Sequence, residues 1–599
     1  MYICCVNLPS CEQSLSTYRN LFAQSATTKI YTKYQLLKQA YNNFQSTMEM
    51  RSKLGSFELK DCSAESAAER LLSIIHTEPV KVNRKHGAIS FSEALSLTGF
   101  GKFNYFLIFI CGMILANVLL ETAAMGFILP IAQCDLNLTN QDKGILSAIS
   151  FAGIITSSHL WGFLADTKGR RKVIRPTLLA GFIVTLLSSF SHTFWVMVLL
   201  RFINGFFVSG GSATVYAYLG EFHTDKTRSR AMMGSSFIFA IGAMILPMIA
   251  FIVINQDWVL PLPFLGIVYK PWRLFLIVCG IPGLLCGLSM FALPESPKFL
   301  LAHGREAKAI EVLQKMQRWN GGTQDMKLKH ILPEEEQPGS MMQLNNKSAS
   351  KENFATAFMK SMWNQTVPLF HKQYIRVTLI VCNMQFWLYV VTNGMYMWFP
   401  HIINSMVEFM NAHPGEHKQI CHIVYDKHES LYKTDGTMEC VAKLENTTYF
   451  YSLIMEILYA SSFAFIGLVI NRVGKMTILF ISTILFSSCG LAAVFVADPS
   501  IAAYLYVLFF LVGVAINVLG AATVELYPTQ MRAMAICVSL MFGRLGSVVG
   551  ANIVGALLAN NCELTFYAAC IALYICACMA LLIPRRTLAP PAKPVLDEA

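Results

Sequence analysis

The sequence predicts an all-α membrane protein of twelve transmembrane helices, arranged as two six-helix repeats. Three observations carry that prediction. Of 599 residues, 54% are hydrophobic and only 14% charged, too apolar a balance for a water-soluble core. Twelve apolar segments reach the roughly 20 residues that cross a bilayer. A basic loop, Gly162-Phe-Leu-Ala-Asp-Thr-Lys-Gly-Arg-Arg-Lys172, recurs more weakly 305 residues later as Gly467-Leu-Val-Ile-Asn-Arg-Val-Gly-Lys475.

Residues 1–102 are polar and mixed, with no run long enough to span. They are expected to form a cytoplasmic tail without a cleavable signal peptide, so the first spanning segment acts as the signal. Near its end, Phe91, Ala94, Leu95 and Thr98 fall on one helical face that is suited to lie along the membrane surface. Six segments follow, near 105–129, 144–165, 174–191, 195–219, 231–254 and 273–292, making a bundle over 103–292. Residues 293–375 form a cytoplasmic linker. In it Ala309, Val312, Leu313 and Met316 mark a short amphipathic helix, and 320–352 reads as flexible. The second bundle, 376–586, holds segments near 376–400, 450–470, 476–496, 501–525, 533–557 and 564–584. A loop at 401–449 interrupts it, and 587–599 is a short tail.

Twelve crossings place both termini on one side. Lys168, Arg170, Arg171, Lys172, Arg175, Lys226, Arg228, Arg230, Arg472, Lys475 and Arg532 share that side, which the positive-inside rule makes cytoplasmic. The net charge of +11 therefore belongs to loops against a lipid bilayer, not to a nucleic-acid-binding face. Sequons at Asn137 and Asn446 fall in the opposite loops and are glycosylation candidates. Cys421 and Cys440 share the 401–449 loop, where an oxidising compartment permits a disulfide between them. The membrane itself, plasma membrane or intracellular vesicle, stays open because both obey the same rule.

A second repeat supports the first: Glu221 with Arg228 closes the fourth segment, and Glu525 with Arg532 closes the tenth, 304 residues on. Such duplicated halves are a transporter design. The residues also carry a resemblance. Gly162-Phe-Leu-Ala-Asp166 with Gly169-Arg170-Arg171, Arg201-Phe-Ile-Asn-Gly205, Pro294-Glu-Ser-Pro297 and Glu525-Leu-Tyr-Pro-Thr-Gln-Met-Arg532 resemble the signatures of the major facilitator superfamily, in its sugar and organic-ion branch. Leu97-Thr-Gly-Phe-Gly-Lys-Phe103, Glu121 ahead of Gly126-Phe-Ile-Leu-Pro130, and Trp398-Phe-Pro400 are most similar to synaptic vesicle glycoprotein 2 and its relatives. The resemblance spans about 88–586 and implies the major facilitator fold.

Intramembrane charge marks the working residues. Glu121 and Arg201 sit at depths that differ by only about 3 Å at 1.5 Å per residue. Each unpaired would cost roughly 2.5 to 3.5 kcal/mol, so each seeks a partner. The pair is the candidate for proton coupling, by resemblance to proton-coupled sugar porters; a static pair that fixes packing is the alternative. Arg544, near the middle of the eleventh segment, suits an anionic or zwitterionic group. Gln385, Tyr389, Asn393 and Tyr396 fall at about 0, 40, 80 and 20 degrees around a helix and form one polar stripe. With Asn117, Asn204 and Asn517 they complete the candidate substrate-binding set. Gly162, Asp166, Gly169, Arg170, Glu221, Arg228, Glu525 and Arg532 are the candidate cytoplasmic gate. Gly162 is expected to let the second helix approach a neighbour closely, and Asp166 to sit near the start of the eleventh. The resemblance implies that such contacts close the cytoplasmic side.

No phosphate-binding loop, zinc-protease motif or nucleophile elbow is present in context, so no enzyme activity, cofactor or metal is expected. The function expected is secondary active transport of a small polar organic solute, organic ion or sugar-like, by alternating access in a proton-coupled monomer. A non-transporting vesicle glycoprotein that binds a partner, and an uncoupled facilitator, are the alternatives.

Overall fold

The computed structural model describes residues 88–263, 266–322, 330–332, 360, 363, 366–431, 444–527, 529–558 and 561–583. Twelve helices in it are long and apolar enough to cross a membrane. In order they are Lys102–Leu136, Asn140–Lys168, Arg170–Ser189, Phe194–Gly220, Asp225–Ile254 and Pro271–Ser289, then Ile375–Met395, Asn446–Ile470, Lys475–Phe495, Pro499–Thr523, Met534–Leu557 and Cys562–Leu581. The chain is an integral, multi-pass membrane protein. Below, the end carrying the Gly162–Lys172 loop is the basic face and the opposite end the far face.

Close helix contact depends on glycine. A Cβ on Gly153 would lie 2.2 Å from the Phe202 carbonyl oxygen, and one on Gly205 would lie 2.1 Å from that of Ser150, so the second and fourth helices touch backbone to backbone. In the second half Gly546 and Gly550 do the same against Phe386 and Val390, which seats the eleventh helix on the seventh. In lipid, where no hydrophobic force drives helices together, such small-residue contacts supply the packing.

The amphipathic N-terminal segment is helical over Phe91–Leu97 with Ser90 as its cap. Its apolar face does not lie along the membrane. Phe91, Ala94 and Leu95 are buried in a cluster with Ala309, Val312, Leu313 and Met316 of the helix Glu306–Trp319. Each amphipathic stripe therefore covers the other. Asn320 fastens the junction, donating to the Thr98 and Gly99 carbonyls and accepting from the Phe103 amide at 3.1 Å. The stretch read as flexible also contributes structure, since His330–Leu332 pairs in parallel with Ala88–Ser90.

The seventh helix departs from regular geometry. It is α-helical over Ile375–Tyr389 and then a π-helix over Val390–Met395. The next helix, Phe399–Ala412, runs on into the far-face loop, followed by Ile420–Leu431. There Cys421 is bonded to Cys562 at the start of the twelfth helix, with Cα atoms 5.5 Å apart. That bond corrects the expected Cys421–Cys440 pairing; Cys440 lies outside the described residues. Cys134, near the far end of the first helix, is also disulfide-bonded.

Candidate functional site

Two polar assemblies occupy the membrane-spanning region, one inside the first bundle and one along the cleft between the halves. In the first, Arg201 Nη1 lies 3.4 Å from Glu121 Oε2, and both groups are almost fully buried. The Thr185 hydroxyl is 2.7 and 2.9 Å from the two carboxylate oxygens. Asn204 Nδ2 donates to Thr185 Oγ1 at 2.7 Å. The first, third and fourth helices thus meet at one carboxylate. The sixth closes over it: a Cβ on Gly280 would lie 3.0 Å from Glu121 Oε1, and one on Gly283 would lie 2.8 Å from Asn117 Oδ1. Asn117 and Asn204, expected to bind solute, belong to this enclosed cluster and not to the cleft. Both are buried.

The second assembly is built mainly from residues of the second half. Arg544 Nη1 donates to Ser158 Oγ at 2.7 Å, across from the eleventh helix to the second. Among the described residues no carboxylate pairs with Arg544. A Cβ on the neighbouring Gly543 would lie 2.7 Å from Tyr389 and 3.1 Å from Gln385, so these side chains pack beside Arg544. Asn393 Nδ2 donates to Ser547 Oγ at 3.2 Å. Tyr396, however, donates to Glu456 Oε1 of the eighth helix at 2.8 Å. The single stripe expected in the seventh helix is therefore split. The i to i+5 hydrogen bonding of a π-turn widens the helix, so residues beyond Val390 lie further round than 3.6 residues per turn places them. Asn517 is exposed and donates to Tyr459 Oη at 3.3 Å.

Glu456 escaped the sequence reading. It sits in Leu453-Ile-Met-Glu-Ile-Leu-Tyr459, an apolar run, and the signal was there: a lone acid within a span is a functional candidate by cost alone.

At the basic face, Arg170 bridges Asp166 at 3.0 Å and Glu221 at 3.1 Å, and its guanidinium lies over the Phe299 ring. Burial pushes the Glu221 carboxyl above its usual range, against the pull of Arg170. Arg228 pairs with Asp225 at 2.9 Å and donates to the Gly220 carbonyl. Glu295, from the Pro294-Glu-Ser-Pro motif, accepts from the Arg171 amide at 3.0 Å and joins the loop to the linker. Gly169 has φ +114°, and a Cβ there would lie 2.5 Å from Glu295 Oε2. Gly169→Ala is expected to cost about 1–3 kcal/mol through this backbone strain and the displaced carboxylate, read as a lower thermal unfolding midpoint in detergent; an unchanged midpoint would contradict it. The side chains of Glu525 and Arg532 lie outside the described set.

Two gate expectations differ from the structure. A Cβ on Gly162 would meet nothing within 4 Å, and the Asp166 side chain is 72% exposed, with its ion pair inside its own loop. Among the described residues no ion pair or hydrogen bond joins Asp166 to the eleventh helix. The halves meet closely at the far face. There a Cβ on Gly555 would lie 3.0 Å from the Asn140 oxygen, Phe127 stacks on Tyr449 at 6.2 Å, and Asn255 donates to Asn446 Oδ1 at 2.8 Å. Asn137 is exposed in the turn after the first helix, and Asn446 is exposed at the start of the eighth.

Residues 111–412 match the Sugar (and other) transporter family, and residues 447–598 match the Major Facilitator Superfamily. The chain belongs to this transporter family. Human synaptic vesicle glycoprotein 2A is 24% identical over 359 residues, covering 57% of this chain and 48% of its own. Rat synaptic vesicle glycoprotein 2C is 30% identical over 219 residues, covering 36% of this chain and 30% of its own. The chain matches half or less of the length of these curated relatives. Among solved structures, the inward-open xylose transporter XylE from E. coli superposes with a TM-score of 0.55 at 14% identity, covering 82% of this chain and 97% of that one. A bacterial homologue of the human lysosomal transporter Spinster, inward-facing and unoccupied, gives 0.54 at 12% identity over 81% and 97%. These likenesses establish the fold.

Proposed function

We propose that this transporter moves a small polar organic solute, an organic ion or sugar-like molecule, by alternating access, and that a proton drives it. The observation that carries the coupling is the Glu121–Arg201 pair with Thr185 bridging it. A carboxylate held by one cation inside a bundle has two states, ionised and paired or protonated and released, and the second alters packing among the four helices around it. The D-xylose-proton symporter, which shares the fold at a TM-score of 0.53, is itself proton-coupled and supports this reading.

The basic face is taken as cytoplasmic, with both termini on that side, and the open cleft then faces inward. The names of the relatives favour a vesicle membrane over the plasma membrane. Asn137 and Asn446 face the lumen in that orientation and are the proposed glycosylation sites. A monomer suffices, since the cleft is built from one chain.

In the opposite, outward-open state Asp166 would approach the start of the eleventh helix, where a carboxylate is worth roughly 0.3 to 1 kcal/mol. Asp166→Asn is expected to raise the inward-open population, read as faster labelling of basic-face cysteines by an impermeant maleimide; equal labelling in parent and variant would count against the gate. Uptake into proteoliposomes with and without an imposed pH gradient tests the whole reading. Gradient-driven accumulation supports it, gradient-indifferent uptake points to a facilitator, and no uptake of any sugar, cation, anion or zwitterion points to a non-transporting membrane glycoprotein.

A further inference from the structure

Glu456 and Arg544 are opposite charges inside the membrane-spanning region, and among the described residues neither has a charged partner. Glu456 is 8% exposed, and among the described residues no Lys, Arg or His forms an ion pair with it. Among the described residues its hydrogen-bond donor is the Tyr396 hydroxyl. It borders a narrow crevice between the halves whose walls include the rings of Phe127, Tyr396 and Phe399 with Pro247 and Met455. Among the described residues Arg544 donates to the neutral Ser158 hydroxyl and to no carboxylate. The contrast with Glu121, which has its own arginine, is the point: a protein rarely carries two opposed charges within a bilayer and leaves them apart unless something else neutralises each.

Geometry places them at similar depths. Glu456 lies ten residues from Asn446 and Arg544 thirteen from Leu557, both counted from the far face, so their levels differ by about 5 Å at 1.5 Å per residue. Tyr389 packs beside Arg544, since a Cβ on the neighbouring Gly543 would lie 2.7 Å from its ring, and Tyr459 lies about one helical turn from Glu456. A carboxylate framed by aromatic faces suits an organic ammonium group, which gains from the rings as well as from the charge. A guanidinium fork suits a carboxylate.

We infer that Glu456, with the rings of Phe127, Tyr396 and Phe399, receives the amine end of a small zwitterionic solute whose acidic end is taken by Arg544. This rests on the transporter reading and narrows its substrate class to molecules carrying both an amine and an acid group. The crevice at Glu456 is closed down in the present state, so the amine end would enter when the far face opens.

The test uses the full chain in proteoliposomes and a series of ω-amino acids of two to six carbons, with the matching alkylamines and carboxylates. The wild type is expected to take up at least one ω-amino acid with an apparent affinity about tenfold or more above its two single-ended analogues, a gap of about 1.4 kcal/mol. Glu456→Gln should collapse that advantage over the carboxylate to within about threefold while the carboxylate itself is still recognised. Phe127→Leu keeps the acid but thins the aromatic wall, and should reduce the amine preference without altering the pH dependence of uptake, which guards against a Glu456 variant that does not fold. An amine preference that survives in both variants overturns the proposal, as does a Glu456→Gln that changes only pH dependence. Uptake of xylose with no response to any ω-amino acid overturns it and leaves the transporter reading standing. No uptake of either probe class by folded protein overturns both.

Discussion

Glu121→Gln is expected to make solute uptake indifferent to a transmembrane pH gradient, while the protein remains folded in the bilayer. Glutamine matches the shape of glutamate and can still accept from the Thr185 hydroxyl, which now contacts both oxygens. It has no proton to gain or lose near neutrality. Arg201→Ala should be more severe. It strands the carboxylate inside the first bundle, and removing one partner of a buried pair costs roughly 3 to 5 kcal/mol, a large share of any stability margin. The double change Glu121→Gln with Arg201→Gln removes both charges. Its folded yield is expected to exceed that of Arg201→Ala, although pH-driven uptake stays lost. This cycle separates the two meanings of the pair. If it only fixed helix packing, the neutral double variant would transport with the parent's pH response. Folded yield by fluorescence size-exclusion and uptake against external pH give the two readouts, and an unaltered pH response in Glu121→Gln would overturn the coupling assignment.

The spans were legible because a bilayer imposes one demand, a length of apolar backbone whose hydrogen bonds close on themselves, and twelve stretches meet it. Three charges inside those stretches, Glu121, Arg201 and Arg544, were legible for the same reason, whereas Glu456 meets the same criterion and was passed over. What stayed hidden depends on partners far away in the chain. Cys421 and Cys562 are 141 residues apart, and Cys562 looks like the first residue of an apolar run, so proximity in sequence favoured Cys440. The helix Phe91–Leu97 shows an apolar face without saying what covers it; the answer, Glu306–Trp319, lies more than 200 residues on. Regular periodicity placed Tyr396 with Gln385, and no residue in Val390–Met395 announces a π-turn. Asn117 and Asn204 have the composition of solute ligands, but their neighbours Gly283 and Thr185 bury them. Which face is open is a property of a conformational equilibrium, and no motif encodes a population.

That equilibrium gives the other large effect. Gly555→Val is expected to force the far face apart. A Cβ at Gly555 would already lie 2.9 Å from Trp398 Cζ2, 3.0 Å from the Asn140 oxygen and 3.3 Å from Gly144 Cα. Two of those three atoms are backbone of the second helix, which cannot rotate away as a side chain can, and the branched side chain of valine adds bulk beyond Cβ. The clash is relieved only if the eleventh and second helices separate at that end. At the other end there is room for the accompanying motion, because among the described residues Cβ atoms on Gly162 and Gly520 would meet no neighbour within 4 Å. Rocking the halves about the Ser158–Arg544 contact therefore opens the far face and closes the basic one. A cysteine in place of Asn140 should react with an impermeant maleimide at least about tenfold faster in the Gly555→Val background, corresponding to a shift of about 1.4 kcal/mol in the population balance, and uptake should fall because the cycle cannot return. Gly162→Val is the mirror control. It meets nothing in the present state and obstructs the second helix only when the basic face closes, so it should slow labelling at Asn140→Cys. If both valines change labelling in the same direction, the halves do not rock about this axis.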